Sequence, residues 1–345
     1  MTAVNELKLA ALEKYLSSCI EGFKGPIRAE KFYNGQSNPT FKLTSADGTY
    51  VLRRQPPGKL LKSAHAVDRE YRIQKALEAT PVAVAKMIHL CEDPTIIGSM
   101  FYLMEFKQGR IYWDAALPEL SETERPAFYR SMNHTLTTLH CVDIKAAGLA
   151  DYGKPGNYFD RQLGRWCGQY WASETQNIDA MNQLIDWLEN ALPADDGRLG
   201  LVHGDYRLDN LMFHPKKPEI IAVLDWELST LGHPWADLAY TCMCLRMPQA
   251  AGGMSGLLGK DRAALNIPSE KDFVAAYCQQ MELGFERIPN WAFYLAFSFF
   301  RLAAICQGVA KRAEIGNASN AQAEKIGAMV KPLATFALEI IANEA

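Results

Sequence analysis

The sequence predicts an α+β chain in two lobes, an antiparallel five-stranded sheet with one helix followed by a larger, mainly helical body. Three observations carry this. The first hundred residues alternate in short runs of period two, the residues beyond about 107 repeat at helical spacing, and one strand-flanked polar stretch, LVHGDYRLDNLMFHPKKPEIIAVLDWE (201–227), interrupts the helices.

In chain order, MTAVNELKLAALEKYLSS reads as a mildly charged amphipathic helix. IRAEKFYN (27–34), TFKLTSA (40–46) and TYVLRRQ (49–55) are rich in β-branched and aromatic residues and are separated by Asn34-Gly35 and Asp47-Gly48, the second a strong hairpin signal. A helix is expected from about Ser63 to Ala79, with Ala66, Tyr71, Ile73 and Leu77 roughly on one side. AKMIHLCE (85–92) and SMFYLMEF (99–106) complete the strands. Helical periodicity then covers 122–141, 157–173, 179–192, 233–246, 269–283, 289–315 and 319–343. The boundary falls near Glu105–Gln108, giving lobes 1–106 and 107–345. The Gly- and Met-rich segment 246–260 is expected to be a flexible loop able to act as a lid.

At 345 residues the chain can bury a large core, and 48% hydrophobic with 22% charged is an ordinary globular composition. A net charge of −3 gives no basic field for nucleic acid and no polybasic membrane patch. The N-terminus lacks the basic start, apolar run and cleavage site of a secretion signal. The run WAFYLAFSFF (291–300) is too short to span a bilayer, and Arg301 follows at once. Eight scattered cysteines without a CxxC pair are expected as reduced thiols, and a cytoplasmic location is the expectation.

The chemistry sits in 201–227. An apolar strand at Leu201–Val202 opens into a turn with His203, Asp205, Arg207 and Asn210, and a second strand, Ile220–Leu224, delivers Asp225. Two carboxylates and an amide at neighbouring strand ends suit Mg²⁺ and a nucleotide triphosphate in line with a hydroxyl nucleophile. Asp205 is the candidate partner of the hydroxyl, Asn210 and Asp225 supply hard oxygen donors for the metal, and Arg207 can point a fork of donors at the transferring phosphate.

HGDYRLDN followed by LDWE resembles the catalytic and metal-binding loops of the aminoglycoside phosphotransferase and choline kinase family, a branch of the protein-kinase-like fold. The likeness extends over nearly the whole chain through NGQSNPTFKL, YVLRRQPPGKLLKSAHAVDREYRIQKAL, PGNYFDRQ and ELSTLGHPWADLAY. It is nearest to the kinase-like domains fused to some acyl-CoA dehydrogenases. The resemblance implies an ATP- and Mg-dependent phosphotransferase, with Asp205 as catalytic base, Asn210 and Asp225 on metal, and His203 bracing the loop. It also implies that Asp237 braces the catalytic loop, and it places His233 where the family has Asp. Glu227 is a candidate support for the metal site.

For the first lobe, Gly35, Gln36, Ser37 and Asn38 are expected over the phosphates, where small and turn-prone residues let backbone N–H groups approach. Alternation with Val51 puts Arg53 on the inner face, in the place of the usual kinase lysine, to meet the α/β phosphates and pair with Glu70. The linker Leu103–Phe106, Glu105 within it, is expected to pass the adenine edge through backbone groups.

The acceptor is expected to be a small molecule with a hydroxyl, a hydroxyacyl-CoA by the dehydrogenase likeness. In 150–171 the bases Lys154, Arg161 and Arg165 outnumber the acids Asp151 and Asp160, which argues against a polycationic antibiotic. Arg161 and Arg165 are candidates to grip an anionic group, against the plainer reading of solvated-face arginines. Two rivals stand beside this reading: a metal-dependent hydrolase on His203, Asp205, His214 and His233, and a non-catalytic nucleotide-binding interaction module, which Arg53 in the lysine position supports.

Overall fold

The computed structural model describes residues 7–32, 38–56, 65–154, 156–249, 255–284, 287–314 and 323–344. The chain divides into two compact units. One comprises Met1–Ile111, Asp143–Leu149 and Asn210–Ser229, and the other Tyr112–Val142, Ala150–Asp209 and Thr230–Ala345.

The first unit is built on five strands: β1 (Arg28–Lys31), β2 (Thr40–Thr44), β3 (Thr49–Arg54), β4 (Met87–Cys91) and β5 (Phe101–Glu105). They are antiparallel in the order β1-β2-β3-β5-β4. Period two sends alternate side chains to opposite faces. Phe41, Leu43, Leu52, Phe101 and Leu103 pack with Leu12 and Leu16 of α1 (Leu9–Cys19). Burying each of those helix leucines contributes roughly 2 kcal/mol. In a second cluster, Met87 and Tyr102 pack with Val67 of α2 (Val67–Leu77). The same alternation separates two neighbouring arginines. Arg54 donates from Nε to Ser99 Oγ at 2.9 Å, whereas Arg53, opposite Tyr102 in the register, reaches Glu70 of α2.

The turn at Asp47-Gly48 closes β2 onto β3 with Thr44 opposite Thr49, and the Ser45 N–H donates to the Gly48 carbonyl at 2.9 Å. A second antiparallel hairpin, β7 (Leu211–Phe213) and β8 (Ile220–Val223), belongs to this unit although it lies a hundred residues further on. Phe213 and Arg110 exchange both backbone bonds at 2.8 Å, and the Val223 N–H donates to the Ala83 carbonyl at 2.8 Å. Those bonds satisfy groups that a short isolated hairpin leaves open.

The second unit contains α3 (Arg125–His140), α4 (Tyr158–Ser173), α5 (Asp179–Asn190), β6 (Gly200–Val202), β9 (Thr230–Gly232), α6 (Trp235–Arg246), α7 (Glu270–Gln280), α8 (Trp291–Glu314), α9 (Ala323–Gly327) and α10 (Val330–Glu344). α8 packs against α4, α5, α6, α9 and α10 and is the core helix of the unit. Five of the six aromatics of 150–171 are buried, and only Trp171 is exposed.

Three expectations are corrected. The strands flanking the polar turn do not pair with each other: β6 pairs with β9, and β8 with β7. β7 and β9 are three residues long, too short to show a period, and their pairing is set by remote partners. Within the stretch 319–343 the described residues form two helices. Gly327 lies against Ala310, where an added Cβ would approach the alanine Cβ to 2.8 Å, and Pro332 occupies the first turn of α10, where its missing N–H costs nothing. Finally, the apolar run 291–300 is only the first part of the 24-residue α8 (Trp291–Glu314), within the helix expected over 289–315. By length and composition α8 is long enough to cross a bilayer, but it is mostly buried inside its unit. All eight cysteines are free.

Candidate active site

In the helical unit the chain leaving β6 turns at Gly204, whose φ of 85° is open to glycine and strained for other residues. Asp237, in the first turn of α6, is fully buried and accepts the backbone N–H of His203 at 2.6 Å and of Gly204 at 2.7 Å. His140, at the end of α3, faces the same carboxylate with Nε2 at 3.4 Å, its Nδ1 lying 2.8 Å from the Tyr277 hydroxyl. Burial works against the Asp237 charge, but His140 and the two N–H donors outweigh it and hold the carboxyl below the usual range.

The other side of the loop is held by a cation. Arg301 of α8, 7% exposed, donates to the Gly204 carbonyl, and its guanidinium lies over the rings of Tyr240 (5.1 Å) and Trp166 (5.7 Å). Thr241 Oγ1 donates to the Tyr206 carbonyl at 2.7 Å, and the Tyr206 hydroxyl to the Met132 carbonyl at 2.8 Å. The His203 ring is buried, and its Nδ1 accepts the Asp205 N–H at 3.2 Å. Every residue from 203 to 206 is thus tied through its backbone.

The Asp205 side chain, 17% exposed, emerges from this frame. Arg207 Nε stands 3.4 Å from its Oδ2, and Arg207 Nη2 is 3.1 Å from Asp209 Oδ2. Burial opposes the Arg207 charge; the two carboxylates more than offset it and keep its pKa well above the ordinary value. A narrow crevice lined by Trp113, Met132, Thr241 and Cys244 borders Arg207 and Asp209. Among the described residues that line it, Asp209 is the one acid.

The sheet unit carries a second constellation. Arg53 on β3 lies 2.7 Å from Glu70 through Nε, 2.7 Å from Asp225 Oδ1 through Nη2, and 3.8 Å from Glu227. Glu70 is buried and also accepts from Asn38 Nδ2 at 2.6 Å and the Tyr102 hydroxyl at 3.2 Å. Burial again opposes the Arg53 charge, and Glu70 and Asp225 hold it well above the ordinary value. Asn38 is a buried anchor, its Oδ1 2.9 Å from His65 Nδ1; Gly35, Gln36 and Ser37 lie outside the described residues. So do 250–254 of the expected lid. Ser255 beyond them bridges to Asp114, flanked by bonds of 3.0 Å to Trp113 and Ala115.

Asn210 immediately precedes β7 and Asp225 follows β8 by two residues, so the open end of one hairpin brings both together. The Leu224 N–H donates to the Asn210 carbonyl at 2.8 Å. Asp225 has φ 61° and ψ 68°, a left-handed conformation that costs a non-glycine residue roughly 1 kcal/mol and persists where its surroundings fix it. Its side chain is 34% exposed. A carboxylate and an amide at one hairpin end are hard oxygen donors, the set Mg²⁺ favours, so these residues fit that ion. Glu105 ends β5, its N–H donating to the Lys86 carbonyl at 2.9 Å and its side chain facing Lys107 at 3.7 Å.

Other candidates fall elsewhere. Arg161 donates to the Gly156 carbonyl, and Arg165 lies over the Trp166 ring at 5.4 Å. His233 is buried, with Nε2 3.2 Å from Asp196 and Nδ1 accepting the Trp235 N–H at 3.3 Å, which makes it a neutral ring donating to Asp196. Burial, only partly countered by Asp196, lowers its pKa. Among the described residues no three His, Cys, Asp or Glu side chains converge on a metal position, so the hydrolase reading has no metal cage to stand on.

Arg301, His140 and Thr241 are loop-holding residues that sequence reasoning did not assign. Arg301 carried a signal, because a lone charge directly after ten apolar residues must find a partner inside. The other two carried none.

Residues 28–268 match the model of the phosphotransferase enzyme family. The chain is 47% identical over 335 residues to acyl-CoA dehydrogenase family member 10 of Mus musculus, an alignment covering 97% of this chain and 31% of that protein. The chain spans less than half the length of the curated relatives it matches. The crystal structure of a candidate aminoglycoside phosphotransferase from Ralstonia eutropha superposes with a TM-score of 0.86 at 49% identity, covering 97% of this chain and 98% of that one. A thermostable mutant of an aminoglycoside phosphotransferase, solved as a ternary complex with AMP-PNP and hygromycin B, gives 0.61 at 15% identity over 96% and 98%. That likeness concerns the fold alone, which is protein-kinase-like.

Proposed function

The chain belongs to the phosphotransferase enzyme family, and we propose that it transfers the γ-phosphoryl group of ATP, in the presence of Mg²⁺, to the hydroxyl of a small molecule. The observation that carries this reading is the immobilised loop behind Asp205, held by Asp237 on its N–H groups and by Arg301 on its carbonyl. Phosphoryl transfer needs little covalent help and depends on fixed groups around the reacting atoms.

In this reading Asp205 orients the acceptor hydroxyl and takes its proton as the oxygen bonds to the γ-phosphorus. The bond from that phosphorus to the β–γ bridging oxygen breaks, and ADP leaves with the electron pair. Arg207, kept charged by Asp205 and Asp209, supplies positive charge beside the moving phosphoryl group. Asn210 and Asp225 would hold Mg²⁺, which would supply positive charge against the phosphates. Arg53 has Nε and Nη2 engaged by Glu70 and Asp225, so Nη1 is the nitrogen assigned to a phosphate oxygen.

For the acceptor, the excess of bases over acids in 150–171 supports an anionic or neutral alcohol over a polycation. The dehydrogenase names of the relatives support a hydroxyacyl-CoA. One observation favours a non-catalytic module instead: Arg53 occupies an oxygen of the metal candidate Asp225. ³¹P detection of product from Mg·ATP and a panel of hydroxyacyl-CoAs, choline, sugars and aminoglycosides separates the two. A phosphorylated hydroxyacyl-CoA is the expected result. Nucleotide-dependent thermal stabilisation with no phosphorylated product across the panel would establish the module.

A further inference from the structure

Three contacts set the face that α6 turns toward the catalytic loop. Asp237 takes the N–H groups of His203 and Gly204, and Thr241 gives to the Tyr206 carbonyl. Cys244, a turn further on, borders the crevice beside Arg207 and Asp209. Residues 237, 241 and 244 stand at i, i+4 and i+7, so they share one side of the helix. The helix therefore runs in step with the loop, 237 level with 203–204, 241 with 206 and 244 with 207–209. Tyr240, at i+3, is the fourth residue of that side, and the loop residue it faces is Asp205.

Tyr240 has a buried ring and an open end. The residue is 4% exposed, with the Arg301 guanidinium 5.1 Å from the ring centre. Its hydroxyl has no hydrogen-bond partner among the described residues, and it is not among the buried atoms that are closed to solvent and unmatched. An incoming group can reach it. Burial, and after it the Asp205 charge, raise the phenol's pKa well above the ordinary value. The hydroxyl thus keeps its proton and is a donor beside the carboxylate assigned as base.

Resting on the phosphotransferase reading, we propose that the Tyr240 hydroxyl binds the acceptor, donating to the same oxygen whose proton Asp205 takes. An alcohol oxygen carries one proton and two lone pairs. The proton passes to Asp205, one pair forms the bond to phosphorus, and the second pair accepts from Tyr240, whose own proton stays in place. Held from two sides, the oxygen cannot turn its reacting pair away from the line of attack. An ammonium group has no pair to offer, so the same contact selects an alcohol over a protonated amine.

Steady-state phosphorylation of the panel above, beginning with 3-hydroxybutanoyl-CoA, tests this in the full chain with wild type, Tyr240→Phe and Tyr240→Leu. Tyr240→Phe keeps the ring under Arg301 and removes one oxygen. Its kcat/KM for the acceptor should fall about tenfold or more, while its melting temperature and its half-saturation by Mg·ATP stay at the wild-type values. Tyr240→Leu should lose the same turnover and melt lower, because the ring goes as well. Equal kcat/KM in wild type and Tyr240→Phe, or a loss confined to Tyr240→Leu, would overturn the inference and leave the transfer reading standing. Absence of product from the wild type across the panel would overturn that reading and the inference with it.

Discussion

In the helical unit, the loop carrying Asp205 is held by side chains acting on backbone: one buried carboxylate takes two N–H groups, and one buried guanidinium gives to a carbonyl. In the sheet unit, Arg53, Glu70 and Asp225 hold one another side chain to side chain. The difference is physical. A backbone-held loop cannot shift without leaving buried N–H and C=O groups unmatched, so it is rigid. A charge-held trio with one member a third exposed can exchange a partner for an incoming phosphate or metal ion at small net cost. Rigidity suits the group that must meet a reacting atom in line; exchange suits groups that capture a nucleotide and let it go.

The sharpest way to break the comparison is Asp205→Ala. Phosphoryl transfer should fall about a thousandfold, within the range for losing a general base, while Mg·ATP binding followed by thermal shift stays near the wild-type value. Near-normal turnover would remove Asp205 from its role. Asp237→Ala should act on stability as well as activity. It strips two buried N–H groups and His140 of their acceptor, and denaturant unfolding should show a loss of about 3–5 kcal/mol. A loss under about 1 kcal/mol would mean that the loop is not held in the way argued.

In the sheet unit, Arg53→Lys keeps the charge but cannot reach Glu70 and Asp225 with one nitrogen. The Mg·ATP half-saturation concentration should rise about tenfold, or about 1.4 kcal/mol, with the fold retained. Unchanged half-saturation would show that the bridge is dispensable. The smallest effect is a pH dependence in the helical unit. Burial lowers the His233 pKa below 6.5, so its contribution to stability is complete above pH 6.5 and is lost as pH falls through the lower folded value. Melting temperature should therefore decline as pH drops below about 6.5, and His233→Asn should flatten that part of the curve. A decline of the same steepness in the variant would assign it to other groups.

Much of this was legible in order along the chain. The period-two runs and the Asp47-Gly48 turn predict β2 and β3 almost to the residue, and helical spacing finds the helices α3 to α8. Asn210 and Asp225 also end up near one another as local geometry, because both sit at the open end of one hairpin. Partner choice was not legible. That β6 takes β9 and leaves the hairpin to the sheet unit depends on three-residue strands whose pairing is decided by distant groups such as Arg110 and Ala83. Nor does any local pattern tie His140 to Asp237 across 97 residues, or Arg301 to Gly204 across another 97.

By itself, then, the sequence determined the kinds of elements, their order and the chemical types gathered in 201–227, since periodicity, turn residues and spacing are properties of neighbours on the chain. Only the tertiary structure decided what holds those groups. It set Asp237 and Arg301 on the loop's backbone and made a bridge of Arg53. The reason lies in burial. A polar group removed from water must find its partner wherever the fold brings one, and that partner's distance along the chain carries no energy of its own.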